Sequence, residues 1–244
     1  MKFVPKSTVD NLPTIKEGIL VEKEREIRVN ASVFISQLGK RLGLPFYTIA
    51  TAQYYFQYFF CNYSLKTYSY MVIYVTYMQD IGIVCILVAS KSEGTHKRIR
   101  QILAMAFLIL NPSFKGSDLD VEIVEEHRKK IIQYESQLLQ LIQFDFDIIH
   151  GHFWMIKWMK ELNLPVEMAR KSWDFISLCY YNLSCVLYPP SVLAMAAIDS
   201  SSGALPRVLK ITDASISKCH IDEIVKMCDE TKRILSKNSA SQVV

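Results

Sequence analysis

The sequence predicts an all-α protein built as two consecutive domains of about five helices each, and three observations carry that prediction. Half of its 244 residues are apolar and only 21% are charged, the balance of a chain that folds around real cores. Glycine and proline number eight each, too few for the turn every ten or so residues that a β-sandwich or barrel needs. The apolar residues recur at spacings of three and four, the period of a helix with one buried face.

The elements follow in order. Residues 1–21 carry two prolines and little periodicity and read as an N-terminal arm. Glu22–Leu42 is a first helix, with Ile27, Phe34 and Leu38 on one face and Gly39 to Pro45 closing it. Leu44-Pro45 opens a second, because proline is at home in a first turn; on it Ile49, Ala52, Phe56, Phe59 and Phe60 form a buried stripe. Ile81–Glu93 is almost wholly apolar and therefore central. His96–Asn111 is a fourth helix. A loop at Pro112–Asp118 leads to a fifth, Leu119–Gln143, ended by Phe144-Asp145-Phe146-Asp147. The pattern then begins again, with helices at Phe153–Leu162, Val166–Leu183, Ser191–Ser201 and His220–Ser236. Ser200-Ser201-Ser202-Gly203 is expected to break the chain before Pro206. The first domain is thus 22–147 and the second 148–237, with a frayed tail at 238–244.

Composition narrows function by exclusion. The net charge of +4 is spread along the chain, unlike the clustered stripe of a nucleic-acid reader. At the C-terminal end Lys226, Lys232, Arg233 and Lys237 alternate with Asp222, Glu223, Asp229 and Glu230, as on a solvated helix face. The six cysteines have no CxxC spacing and read as buried free thiols in a reducing, intracellular compartment; Cys219, His220 and Cys228 have the wrong spacing for zinc. Met1–Asp10 lacks the apolar core of a signal peptide. Tyr70–Ser90 is long enough to span a bilayer, but Asp80 at its middle and three tyrosines favour a buried core helix. No cofactor or membrane partner is implied.

Two charges stand where helical spacing predicts burial. Lys91 continues the stripe Val84, Leu87 and Val88, and Glu135 falls inside the stripe Ile131, Leu138 and Ile142. A buried ion costs several kcal/mol unless paired. Either both groups snorkel to solvent at the stripe's edge, or they converge at a groove and await a partner, where pre-placed charges give an apolar interface its direction.

Thr48-Ile49-Ala50-Thr51-Ala52 followed by Tyr55-Phe56-Gln57-Tyr58-Phe59 resembles the second helix of a cyclin box. Leu87-Val88-Ala89-Ser90-Lys91-Ser92-Glu93 resembles its third-helix signature, with Lys91 at the family's kinase-contacting lysine. Tyr134-Glu135 through Leu141-Ile142-Gln143-Phe144-Asp145-Phe146 is similar to its fifth helix, with Glu135 at the paired glutamate. Phe34-Ile35 to Leu44 and the run Leu187-Tyr188-Pro189-Pro190 resemble the transcriptional branch, the T, K, L and C types. The family usually places two acidic residues where Glu93 is followed by Gly94, and Val29-Asn30-Ala31-Ser32-Val33 does not match the substrate-docking patch of mitotic cyclins.

The resemblance implies two cyclin-box domains, no catalysis by the chain itself, and a heterodimer with a cyclin-dependent kinase contacted through the kinase's αC helix. Kinase-binding residues would be Lys91, Glu135, Leu87, Phe146 and Glu93. It further implies a kinase acting on the C-terminal repeat of RNA polymerase II, nuclear residence, room for a third regulatory subunit, and no direct nucleic-acid contact. Three other readings stand beside it, one of them a structural helical adaptor with no kinase, whose surface would need another explanation for Lys91 and Glu135. A helical transcription adaptor of the TFIIB type shares the two-box fold but would want a basic face and a zinc ribbon. An enzyme could be read from His150 and His152 flanking Gly151, yet there is no phosphate loop, HExxH or nucleophile elbow.

Overall fold

A computed structural model describes residues 1–66, 77–110, 121–212 and 217–241. Every regular element among them is helical. After a 3-10 turn at Lys6–Asn11 come α1 (Pro13–Lys16), α2 (Val21–Arg41), α3 (Phe46–Asn62), α4 (Tyr77–Ser92), α5 (Ile99–Leu110), α6 (Val121–Ile142), α7 (Gly151–Glu161), α8 (Val166–Cys179), α9 (Ser184–Leu187), α10 (Pro190–Ser202), α11 (Leu205–Thr212) and α12 (Lys218–Ser241). The all-α class read from the sequence is therefore the observed one among the described residues. The chain divides into two compact units, residues 4–147 and 148–244. The expected loop at Pro112–Asp118, the start of the fifth helix at Leu119, and residues 242–244 of the expected tail lie outside the described residues.

In the first unit α4 packs against α2, α3, α5 and α6. Its sequence explains that place: every residue from Asp80 to Ser90 is buried, and a helix apolar on all sides can only be stable inside others. Its described part runs from Tyr77 to Ser92, residues 70–76 of the stretch weighed as a membrane span lie outside the described residues, and no helix among the described residues is long and apolar enough to cross a membrane. Arg28 of α2 is 1% exposed. It pairs with Glu24 one turn earlier and donates to the Gln57 side chain (3.0 Å) and to the backbone carbonyls of Gln57 (3.2 Å) and Phe60 (2.8 Å). The cation thus caps the C-terminal end of α3, where orphan carbonyls carry partial negative charge.

Residues 1–21 are more ordered than their lack of periodicity predicts. Leu12 and Thr14 are buried, Thr14 Oγ1 accepts from the Leu65 amide (3.0 Å), and the Lys2 amide donates to the Tyr54 hydroxyl (2.9 Å). Single anchor residues hold this arm, and single anchors leave no repeat to read.

In the second unit α10 occupies the matching place, packed against α7, α8, α11 and α12. Val192 through Ile198 are all buried. The serine run does not break it: the helix reaches Ser202, where the Ser201 and Ser202 hydroxyls donate back to the Ile198 carbonyl (3.1 and 2.7 Å), and Gly203 ends it at φ 62°. Pro206 opens α11 rather than preventing it, since the second residue of a helix has no intrahelical amide bond to lose. The helix expected over Val166–Leu183 stops at Cys179, and α9 follows as a separate turn. Five cysteines are buried and Cys219 is exposed, which corrects the expectation that all six are interior.

Candidate functional site

The end of α4 and the second half of α6 bring the two misplaced charges together. Lys91 lies in the last turn of α4, where a cation complements the helix dipole. Its Nζ donates to Glu135 Oε1 of α6 at 2.7 Å. The flanking stripes are buried as their spacing predicts, from Val84, Leu87 and Val88 on one helix to Ile131, Leu138 and Ile142 on the other. The charged groups themselves emerge at the rim: Lys91 is 51% exposed and Glu135 14%. A pair so placed adds at most about 1 kcal/mol to stability. Stability alone gives little reason for two charges to interrupt two apolar stripes.

The other expected site residues divide. Phe146 is 41% exposed and meets Phe144, 62% exposed, edge-to-face at 6.4 Å. Both rings lie just past α6, where Gln143 and Phe144 adopt φ of 56°. Side-chain-bearing residues pay about 1–3 kcal/mol for such left-handed backbone, and here it turns two aromatic rings outward. Phe144 was not singled out from the sequence; its signal was an unneeded aromatic at a helix end, visible only once exposure is known.

Leu87 is 1% exposed. It forms the floor of a groove of about 490 Å³ that Lys91 also lines, so it supplies little contact area at the surface. Glu93 is half-buried and accepts from Thr51 Oγ1 at 2.6 Å. That bond ties the end of α4 to α3, and a second tie joins the Thr48 and Thr95 hydroxyls at 3.1 Å. Glu93 thus holds the scaffold that presents Lys91.

At the opposite end of α4 from Lys91, Asp80 is 1% exposed. Burial pushes its carboxyl up to about 7, with Lys130 pulling the other way. Its Oδ1 stands 3.7 Å from Nδ1 of His127, which burial holds below the usual histidine range. These groups are packed under Phe107 and Leu103 and take no part in the surface.

His150 and His152 are interior groups. His150 Nδ1 meets the Tyr180 hydroxyl at 2.9 Å and His152 Nε2 the Ser177 hydroxyl at 3.3 Å, while burial lowers both to about 4. A neutral imidazole so enclosed secures packing. Cys228 is buried against Cys179, sulfur to sulfur at 3.5 Å, whereas Cys219 is exposed.

The chain is similar to known proteins in sequence and in fold. The family model described as the N-terminal domain of cyclins matches residues 7–147. The beta subunit of a CTD kinase from Schizosaccharomyces pombe is 30% identical over 182 residues, covering 72% of this chain and 51% of that protein. Human Cyclin-K is 27% identical over 197 residues, covering 79% of this chain and 32% of its own length. The chain spans about half the length of the first of these relatives. Among solved structures, a chain of the yeast RNA Pol II CTD kinase CTDK-1 complex shares the fold, with a TM-score of 0.71, 18% identity, and coverage of 84% of this chain and 63% of that one.

Proposed function

The chain belongs to the cyclin family, and from that premise we propose that it is the non-catalytic, activating subunit of a cyclin-dependent protein kinase. The observation that carries this reading is the Lys91–Glu135 pair, held at 2.7 Å on the rim of two buried stripes where it does little for stability. A protein kinase is active only when its αC helix swings inward and completes a lysine–glutamate pair. The ends of α4 and α6 would pack against that helix and hold it in. Lys91 and Glu135 would orient each other and bond the partner's backbone, while Phe144 and Phe146 would supply apolar contact. Glu93 and Leu87 would support the surface from beneath. Residues 22–147 are then the kinase-binding box and 148–237 a second box.

The relatives named as a CTD kinase subunit and Cyclin-K support a kinase acting on the C-terminal repeat of RNA polymerase II, and with it action in the nucleus. The similarity to complexes titled CAK and TFIIK, the latter of three proteins, supports a third regulatory subunit beside the kinase.

The test is affinity purification of the tagged chain, wild type beside Glu135→Ala, read by mass spectrometry and by phosphorylation of a polymerase-tail peptide. A kinase that co-purifies with the wild type and is lost from the variant is the expected result. Truncating one charge strands the other in a dry interface and weakens binding by about 2–5 kcal/mol. A folded wild type that captures no kinase would overturn the reading.

A further inference from the structure

The groove floored by Leu87 gathers more positive charge than the kinase contact uses. It lies between the end of α4 and the facing part of α6 and is lined by Leu87, Ile99, Lys91, Lys97, Arg98, Arg100, Arg128 and Glu125. Five of these are cations and one is an acid, in a chain whose whole net charge is +4. Two of the five are occupied: Lys91 by Glu135 at 2.7 Å, and Arg128 by both oxygens of Glu125 at 2.8 and 3.3 Å. The side chains of Lys97, Arg98 and Arg100 make no ion pair or hydrogen bond among the described residues. Like charges held side by side repel, so three unanswered cations at one rim are a cost that a bound anion would relieve.

We infer that this groove binds a phosphorylated protein segment, with the phosphate held by Lys97, Arg98 and Arg100 and a neighbouring apolar side chain laid on the half-buried Ile99. A phosphoserine or phosphothreonine brings about two negative charges and three acceptor oxygens, and guanidinium forks match such oxygens in pairs. The volume of about 490 Å³ suits a few residues of extended peptide. A nucleic-acid strand fits less well: no aromatic ring lines the groove for a base to stack on. The inference concerns the free chain and does not depend on a kinase being bound.

Fluorescence anisotropy on the full chain tests it with three probes: a short labelled peptide carrying one phosphoserine flanked by leucines, its unphosphorylated twin, and a single-stranded oligouridylate. The phosphopeptide is expected to bind at least about tenfold more tightly than its twin, and that preference to fall with added salt. Arg98→Glu should abolish the preference, and Lys97→Gln should reduce it without reversing a charge, should the first variant fold poorly. Lys226→Glu, on the exposed face of α12, should leave it unchanged. Equal binding of the two peptides, equal loss in Lys226→Glu, or tighter binding of the oligouridylate than of the phosphopeptide would each overturn the inference. Because no kinase is present in the assay, its failure leaves kinase capture untouched, and the failure of capture leaves this result untouched.

Discussion

The two units each surround one apolar helix, α4 in the first and α10 in the second, yet they close their interiors with different polar chemistry. Around α4 the buried polar groups include an ion pair, Glu24 with Arg28, each 1% exposed, and the carboxyl of Asp80. Around α10 the buried polar residues are neutral, namely His150, His152, Ser172, Asn182, Ser184 and Thr231. They bond neighbouring hydroxyls, one another or the backbone. Asn182 donates to Thr231 at 2.9 Å, and Ser172 meets the Ser201 hydroxyl at 2.7 Å and donates to the Ala197 carbonyl at 3.2 Å. The helical pattern therefore does not dictate how a core is stitched. Ions in the first unit give a stronger penalty for losing a partner, and imidazoles in the second give a different response to acid.

The largest effect separating the units is expected at Arg28. Arg28→Ala leaves Glu24 buried and alone and uncaps α3, so chemical denaturation should report a loss of about 3–5 kcal/mol. Removing both ions, Glu24→Leu with Arg28→Met, should recover much of it. In the second unit Asn182→Ala should cost only about 1–3 kcal/mol, the loss of a neutral bond. A larger loss for Asn182→Ala than for Arg28→Ala would break the contrast.

Acid should separate them next. His150 and His152 ionise at about 6.5 when unfolded and at about 4 when folded. The unfolded chain binds the extra protons between those values, so stability is intact above about 6.5 and falls as pH drops toward 4, by about 1.4 kcal/mol per pH unit for each independent histidine. Asp80, raised to about 7, works in the opposite sense. The folded state holds its proton from about 4 to 7 while the unfolded state does not, so this group favours the fold at low pH and loses that advantage as pH rises to 7. His127, held neutral by burial, opposes it within the first unit. Hydrogen exchange at stepped pH should therefore show the second unit opening at higher pH than the first. Simultaneous opening would remove the distinction.

Smaller effects sharpen packing. A Cβ on Gly39 of α2 would lie 2.5 Å from Ile49 Cγ1, whereas one on Gly151 of α7 would meet the Pro190 carbonyl at 3.1 Å and Ile176 Cγ2 at 3.2 Å. Gly39→Ala should cost about 1–3 kcal/mol by overpacking, and Gly151→Ala less; thermal melts decide the order. Smallest of all, Lys91→Ala and Glu135→Ala should each shift stability by less than about 1 kcal/mol, because the pair sits at the rim with Lys91 half exposed to water. A loss as large as that for Arg28→Ala would make this pair structural and remove the main argument for a partner.

Much of the fold was legible because burial periodicity is local. The stripes on α3, α4 and α6 were readable from neighbours three and four apart, and Lys91 and Glu135 were conspicuous as departures from them. α11 was hidden because Pro206 reads as a break unless it falls in a first turn, and the N-terminal arm because Leu12 and Thr14 anchor it singly. Glu93 and Leu87 were legible as part of a family signature, but not as the tie to Thr51 and the groove floor that they form.

By itself the sequence determined the helical class, the central apolar helix of the first unit and the pair of charges that do not belong on their stripes. Only the tertiary structure decided which charges are interior. Glu24 and Arg28, four apart, look like any solvated surface pair, and they are buried because α3 lays its C-terminal carbonyls against Arg28 from 29 and 32 residues away. The same holds for Lys97, Arg98 and Arg100, an unremarkable basic run until α6 faces them with a carboxylate already taken by Arg128. Helical period depends on adjacent residues, whereas the electrostatic setting of a charge depends on every group packed around it, however distant in the chain.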